Sequence, residues 1–168
     1  MALPSQIDPR KLALKGALLE GHIDSADLAR LSSAVNRVVS PLSVSIQFEV
    51  DETGQSFAKG AASVEVELTC QRCLDPFNSN LQASFSLQII WSEDQIANVS
   101  PEHEPWVVVD RIANPIAIVE DEILLVLPFV SYHKVGECTG SALKSAGSDS
   151  SELVAAKSPF SILEQLKK

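Results

Sequence analysis

The amino-acid sequence predicts an α+β protein in which a few short helices cover an antiparallel β-sheet, laid out as a meander that could close into a barrel. Three observations predict this fold. Long stretches alternate apolar and polar residues, short helical patterns with capping residues flank them, and 45% of the 168 residues are hydrophobic. Alternation with a period of two places the apolar side chains on one face of a strand. A sheet with one apolar face requires helices to cover it.

Three segments carry the strand pattern, and short connections join them. The first runs over residues 42–50, the second over 62–70 and the third over 81–89. The turn sequence Asp-Glu-Thr-Gly at 51–54 separates the first two segments. Consecutive strands with short connections favour an antiparallel meander with one solvated face. A further strand is predicted over residues 106–109.

Helices are predicted on both sides of these strands. The first begins at Asp8, an N-cap residue followed by proline, and ends at Gly21. A second short helix begins at Asp24. The third begins at Asn114, again followed by proline, and ends at Pro128. Its apolar residues recur every three to four positions, as a helix with one buried face requires: Ile116, Val119, Ile123 and Val126 or Leu127.

Composition divides the chain into three parts. Residues 1–138 contain the predicted sheet and helices and form a single α+β domain. Residues 139–157 are rich in Ser, Gly, Ala and Lys, which predicts a flexible linker. Residues 158–168 begin with Ser-Pro and place apolar residues at helical spacing, which predicts an amphipathic C-terminal helix on that tether.

The charge of the chain is acidic and unevenly distributed. The formal net charge at pH 7 is −9, which disfavours broad binding to phosphate backbones. Residues 92–122 contain eight acidic side chains and one arginine, and Glu120, Asp121 and Glu122 are consecutive. This cluster predicts either a solvated, solubilising surface or a binding surface for a basic partner.

No segment of the sequence points to export or to a membrane. The N-terminal residues lack an apolar stretch, and the longest aliphatic run, 123–127, is far too short to cross a bilayer. We therefore expect a cytoplasmic protein without membrane contact. Its three cysteines are then expected to be reduced or bound to a metal, rather than paired in disulfides.

Three cysteines and one histidine form the clearest candidate site. Cys70 and Cys73 make a C-x-x-C turn at the end of the second strand, and His133 and Cys138 follow the third helix. Such residues can surround one tetrahedral ion, which predicts a candidate Cys3His site for structural zinc. Two alternatives stay open. Cys70 continues the apolar register of its strand and could be an ordinary buried residue. A redox pair is the other alternative, although that motif belongs at the start of a helix.

Catalytic and nucleic-acid motifs are not apparent in the sequence. It contains no phosphate-binding loop, dinucleotide-binding glycine motif, zinc-protease helix or nucleophile elbow. Consecutive acids on a helix diverge by about 100°, so 120–122 do not converge on one site. The strands lack the exposed aromatic residues that stack bases in RNA-binding sheets. We therefore expect a binding protein and not an enzyme, with Arg72 on the cysteine turn as a contact residue.

Several of these segments are similar to the motifs of one known family. They are CQRCLDPF at 70–77, VEDEILLVLPFVSYH at 119–133 and SPFSILEQLK at 158–167, together with Ile-Asp-Pro at 7–9. In this combination the chain resembles the YceD family of large ribosomal RNA subunit accumulation proteins. The match touches both ends and the middle of the chain. Some relatives carry additional C-terminal cysteines, where this chain has only His133 and Cys138.

The resemblance implies a ribosome biogenesis factor that supports synthesis, processing or stability of the large-subunit (23S) ribosomal RNA. Family members are often encoded beside a large-subunit ribosomal protein. The implied partners are large-subunit assembly intermediates, reached in one of two ways. A basic ribosomal protein would bind the acidic region that includes residues 120–122. Alternatively, ribosomal RNA would contact a basic patch made by Arg72 with Arg10, Lys11 and Lys15. A metal-dependent or redox enzyme acting on RNA is the third possibility.

Overall fold

A six-stranded mixed sheet forms the centre of the protein. The computed structural model describes residues 1–134 together with 137 and 138. The strands are β1 (Leu18–Ile23), β2 (Arg37–Val38), β3 (Leu42–Val50), β4 (Ser56–Thr69), β5 (Pro76–Ile90) and β6 (Glu104–Val107). Their order is β1-β3-β4-β5-β6, and β2 pairs with the part of β4 that extends beyond β3. β3, β4 and β5 form the antiparallel meander that the alternating pattern predicts.

Both edges of the sheet differ from the sequence prediction. The first helix, α1 (Pro9–Lys15), does not reach Gly21, because Gly16 ends it with a left-handed φ of 60°. The chain then forms β1, which pairs antiparallel with β3. At the other edge β6 runs parallel to β5, so the sheet is not wholly antiparallel. β1 and β6 do not pair with each other, so the sheet is open and the barrel alternative is wrong.

The apolar face of the sheet is buried under the helices. Rows of paired residues cross the strands on this face, for example Ile46, Gly60 and Phe85. Glycine is required in that row, because a Cβ atom at position 60 would lie 2.5 Å from the Phe85 ring and 2.7 Å from the backbone oxygen of Ser45. Val119 and Ile123 of α3 (Pro115–Leu125) are completely buried in the same core. The helix α2 (Ala29–Ala34) packs against α3 and contributes Leu31 to the core.

The predicted helix starts are confirmed at two positions. The Asp8 carboxylate accepts a hydrogen bond from the backbone N–H of Lys11 at 3.0 Å, and the Asn114 side chain accepts one from Ile116 at 3.0 Å. The third helix ends at Leu125, three residues before Pro128. No helix among the described residues is long and apolar enough to span a membrane. The linker at 139–157 and the helix at 158–168 lie outside the described residues, and the division into domains stays a prediction.

Candidate metal centre and binding surfaces

Two chain segments meet at the end of β4. One is the cysteine turn, residues 70–75, which joins β4 to β5. The other is the segment 129–133 that follows α3. The backbone N–H of Gln71 donates to the carbonyl oxygen of Ser131 at 2.8 Å, and the rings of Phe77 and His133 lie 4.9 Å apart. The exit of the strand and the exit of the helix are therefore adjacent, as the spacing of the motifs requires.

Four potential metal ligands converge at this junction. The ligand atoms of Cys70, Cys73, His133 and Cys138 all lie within 4.8 Å of one another. Cys70 Sγ is 4.0 Å from Cys138 Sγ, and Cys73 Sγ is 3.3 Å from His133 Nδ1. Ideal tetrahedral zinc would place two such sulfurs about 3.8 Å apart and a sulfur and nitrogen about 3.6 Å apart. The cluster therefore has the composition and dimensions of a Cys3His zinc site.

The electrostatics of the cluster favour a bound cation. Burial raises the pKa of Cys70, but backbone N–H groups of Cys73, His133 and Arg72 outweigh it and lower the pKa to about 5. Burial raises the pKa of Cys73 to about 11, and the neighbouring Cys138 and Cys70 contribute to that increase. The turn thus stabilises the thiolate of Cys70, and the neighbouring sulfurs make ionisation of Cys73 less favourable. A cation at the centre would remove this repulsion, because it stabilises all the thiolates together.

The cysteine turn also holds one residue in an unfavourable backbone conformation. Leu74 has a φ of 66°, a left-handed value that is uncommon for any residue other than glycine. Its backbone N–H donates to the carbonyl of Cys70 at 2.9 Å, and the N–H of Cys70 donates to the carbonyl of Asp75 at 3.0 Å. These bonds fix the turn, and they leave the Leu74 side chain exposed to solvent.

Exposed apolar side chains lie on this turn and on the adjoining segment 125–132, and we call this group the knuckle patch. Phe129 is fully exposed at 102%, and Leu74 is exposed at 75%. Arg72 lies beside them, with its guanidinium carbon 5.5 Å from the centre of the Tyr132 ring. The patch consists of Leu74, Leu125, Val126, Phe129, Val130 and Tyr132, each at least 40% exposed. These residues lie on the cysteine turn and on the adjoining segment 125–132, and exposed apolar side chains grouped in this way mark interaction sites in soluble proteins.

The predicted acidic residues of α3 have different environments. The buried Glu120 side chain accepts hydrogen bonds from the backbone N–H groups of Arg30 and Leu31 at 2.9 and 3.0 Å, and from Arg30 Nε at 2.9 Å. Arg30 also forms an ion pair with Asp121, which is about half exposed. Glu122 is buried, and burial, with repulsion from Glu104 and Asp121, raises its pKa to about 7. A role for these residues in partner binding stays a prediction.

Five other acids of the 92–122 region are exposed. They lie between β5 and β6, at the first residue of β6 and after β6: Glu93, Asp94, Glu102, Glu104 and Asp110. The acidic surface available to a partner is therefore carried by these residues rather than by the inner side of α3.

Comparison with known proteins identifies the family of the chain. The family described as large ribosomal RNA subunit accumulation protein YceD matches residues 58–167. The chain belongs to this family. This YceD-family chain is also 32% identical, over 171 aligned residues, to the large ribosomal RNA subunit accumulation protein YceD of Haemophilus influenzae. That alignment covers 98% of the chain and 96% of the relative. No solved structure matches the chain.

Sequence reasoning missed three features of the sites in this YceD-family protein. Arg30 is the partner of Glu120, but the two lie ninety positions apart and no local pattern connects them. Phe129 is fully exposed, and the place of this aromatic residue on the surface was not predicted from the sequence. The guanidinium carbon of Arg10 lies 5.7 Å from the centre of the Trp91 ring. The apolar run directly after Pro128, beyond the end of a helix, was the available signal for the exposed patch.

Proposed function

We propose that this protein is a cytoplasmic ribosome biogenesis factor that supports accumulation of 23S ribosomal RNA by binding a basic large-subunit ribosomal protein. The family to which it belongs is named for large ribosomal RNA subunit accumulation. The observation that carries the proposal of binding is the knuckle patch. The proposed mode of action is binding and not catalysis.

The composition of the knuckle patch favours a protein over RNA at this surface. Four of its six residues are aliphatic, so most of the patch offers apolar area for a protein rather than rings for base stacking, although Phe129 and Tyr132 are exposed rings. Phe129, Tyr132 and the adjacent Arg72 are of residue types that are enriched at the centres of protein interfaces. The net charge of −9 and the exposed acids of the 93–110 region would attract a basic protein.

A structural zinc ion belongs to the same proposal. Zinc held by Cys70, Cys73, His133 and Cys138 would fix the cysteine turn against the segment 129–133, which carries much of the knuckle patch. A site with four protein ligands has no open position for a substrate, so this zinc would be structural. The backbone N–H groups directed at Cys70 would supply the outer hydrogen bonds that orient such ligands.

Affinity purification from cells tests the proposed partner. The wild-type chain, with and without RNase treatment, is compared with Phe129→Ser and with Val50→Ser as a matched exposed apolar control. We expect a basic large-subunit protein to co-purify after RNase treatment, and its yield to fall at least about tenfold in Phe129→Ser only.

Four outcomes would contradict the proposal. Loss of the ribosomal protein on RNase treatment would show that RNA mediates the association. Equal capture by Phe129→Ser and wild type would remove the patch from the interface. A dimer that depends on Phe129 would mean that another copy of the chain covers the patch. Capture only after removal of residues 139–168 would mean that the chain's own C-terminal segment covers it.

A further inference from the structure

A cleft beside α1 has residues that could bind a ligand, and none of them belongs to the knuckle patch. It has a volume of about 480 Å³ and lies between α1 and the segment 108–111 that follows β6, with Trp91 at its side. Leu14 and Val109 contribute apolar walls, and both side chains are more than 70% exposed. A cleft of this size accommodates a small ligand or one unit of a polymer.

The rim of the cleft carries positive charge in an otherwise acidic protein. Arg10, Lys11 and Arg111 line it together with Asp8 and the exposed Asp110, so the three cations and two carboxylates give the lining a net charge of +1. Arg111 is neutralised by Asp8, whose carboxylate accepts from Arg111 Nε at 2.8 Å. Five Lys or Arg side chains have no carboxylate of the described residues within ion-pair distance, and three of them lie on α1: Arg10, Lys11, Lys15, Arg72 and Lys134. Among the residues that the structure describes, cations without a carboxylate partner are thus concentrated on α1, beside this cleft.

Trp91 adds an aromatic surface to these cations. Its ring is only partly buried, and the guanidinium carbon of Arg10 lies 5.7 Å from the ring centre. The backbone N–H of Trp91 donates to Gln95 Oε1 at 2.8 Å, which fixes the start of the segment after β5. An indole and a guanidinium plane both stack on nucleobases, and they do so without requiring a particular base.

We propose that this cleft binds an unpaired nucleotide of single-stranded RNA. The base stacks against Trp91 and the apolar walls, and Arg10 and Lys11 contact the flanking phosphates. An acidic peptide would use the same cations, but it has no flat group to stack on the indole. The cleft carries few cations, so the binding is weak, with a Kd on the order of 10⁻⁵ M at moderate salt. This site is separate from the knuckle patch, and its RNA ligand goes beyond the proposed protein partner.

Fluorescence anisotropy with labelled single-stranded oligoadenylate of about eight nucleotides tests the proposal, since single-strand sites cover about four to sixteen nucleotides. The full chain is compared with the double variant Arg10→Glu/Lys11→Glu. The control is Arg37→Glu/Lys59→Glu, which changes the net charge by the same amount at two exposed cations that line neither the cleft nor the knuckle patch. We expect the α1 variant to bind at least about tenfold more weakly and the control to stay within about threefold of wild type.

A second measurement reports on the aromatic contact. RNA should quench the fluorescence of Trp91, whereas Trp106 is buried. Trp91→Phe keeps a ring for stacking, so it should retain affinity within about threefold and lose the quenching.

Four results would overturn the proposal. They are absence of RNA binding by the wild type, equal weakening by both charge variants, binding without quenching of Trp91, and displacement of RNA by polyglutamate at equal charge concentration. The last result would assign the cleft to an acidic peptide. None of these outcomes affects capture of a ribosomal protein through Phe129, so the two proposals fail independently.

Discussion

Replacement of Glu120 separates a structural role of the acidic helix from a role in recognition. Its carboxylate accepts two backbone N–H groups at the start of α2 and the Arg30 Nε, all at 2.9–3.0 Å. Glu120→Ala leaves the N–H of the buried Leu31 and that of Arg30 without their acceptor and breaks the ion pair. Arg30 is half exposed, so the ion pair contributes little, and the cost comes from the two N–H groups left without an acceptor, about 2–4 kcal/mol together. A small domain has only about 5–15 kcal/mol of stability, so this loss is large.

Two further variants separate the contributions of the hydrogen bonds and of the charges to the free energy of unfolding. Glu120→Gln keeps an oxygen that can accept from both backbone N–H groups and loses only the charge, so we expect a loss of about 1–2 kcal/mol. Asp121→Ala removes the half-exposed partner of the same arginine and should cost less than about 1 kcal/mol. Urea unfolding followed by circular dichroism gives all three free energies. A Glu120→Ala protein with wild-type stability that no longer captures the ribosomal protein would refute this reasoning, since the carboxylate would then be a recognition group.

Three other variants test further parts of the structure. The pKa of Glu122 is raised to about 7, so the wild-type protein loses stability as pH rises from about 4.5 to about 7. Glu122→Gln removes this loss and should stabilise the fold above pH 7 by up to about 3 kcal/mol. The gain should vanish at pH 4 in urea titrations, and the exposed Glu52→Gln should show no such pH dependence. Zinc analysis of protein purified without chelator should give one ion per chain, and chelation should lower the Tm. Cys73→Ser should mimic chelation. Zinc-free protein whose Tm is insensitive to chelator would contradict the site. Gly60→Ala should destabilise by about 1–3 kcal/mol through contact with Phe85, whereas an unchanged urea midpoint would contradict the close packing there.

The central strands and helix starts could be predicted because their signals are local. Alternation over β3, β4 and β5 fixes which side chains face the core, and the residue pairs Asp8-Pro9 and Asn114-Pro115 set the starts of α1 and α3. The first strand could not be predicted in this way. Its sequence, residues 18–23, does not alternate, and it forms because Gly16 ends the helix early and the edge of β3 is available for pairing.

The candidate sites likewise include one that local sequence signals predict and others that depend on how the chain packs. Convergence of Cys70 and Cys73 with His133 and Cys138 follows from motif spacing and from the positions where a strand and a helix end. The partner of Glu120 could not be found from sequence, because its contact with Arg30 depends on how α2 packs against α3. The same limit applies to the cleft, where α1 meets Trp91 only in the folded chain.

The ratio of large-subunit to small-subunit ribosomal RNA in cells tests the proposed function most directly. It is measured in strains that carry the wild-type chain, no copy, Phe129→Ser or Val50→Ser, grown across temperatures, with equal protein levels in the three strains that express it. The account predicts a reduced ratio without the protein, the same reduction with Phe129→Ser, and a normal ratio with Val50→Ser. A normal ratio in the deletion strain at every temperature, or full function of Phe129→Ser, would contradict it.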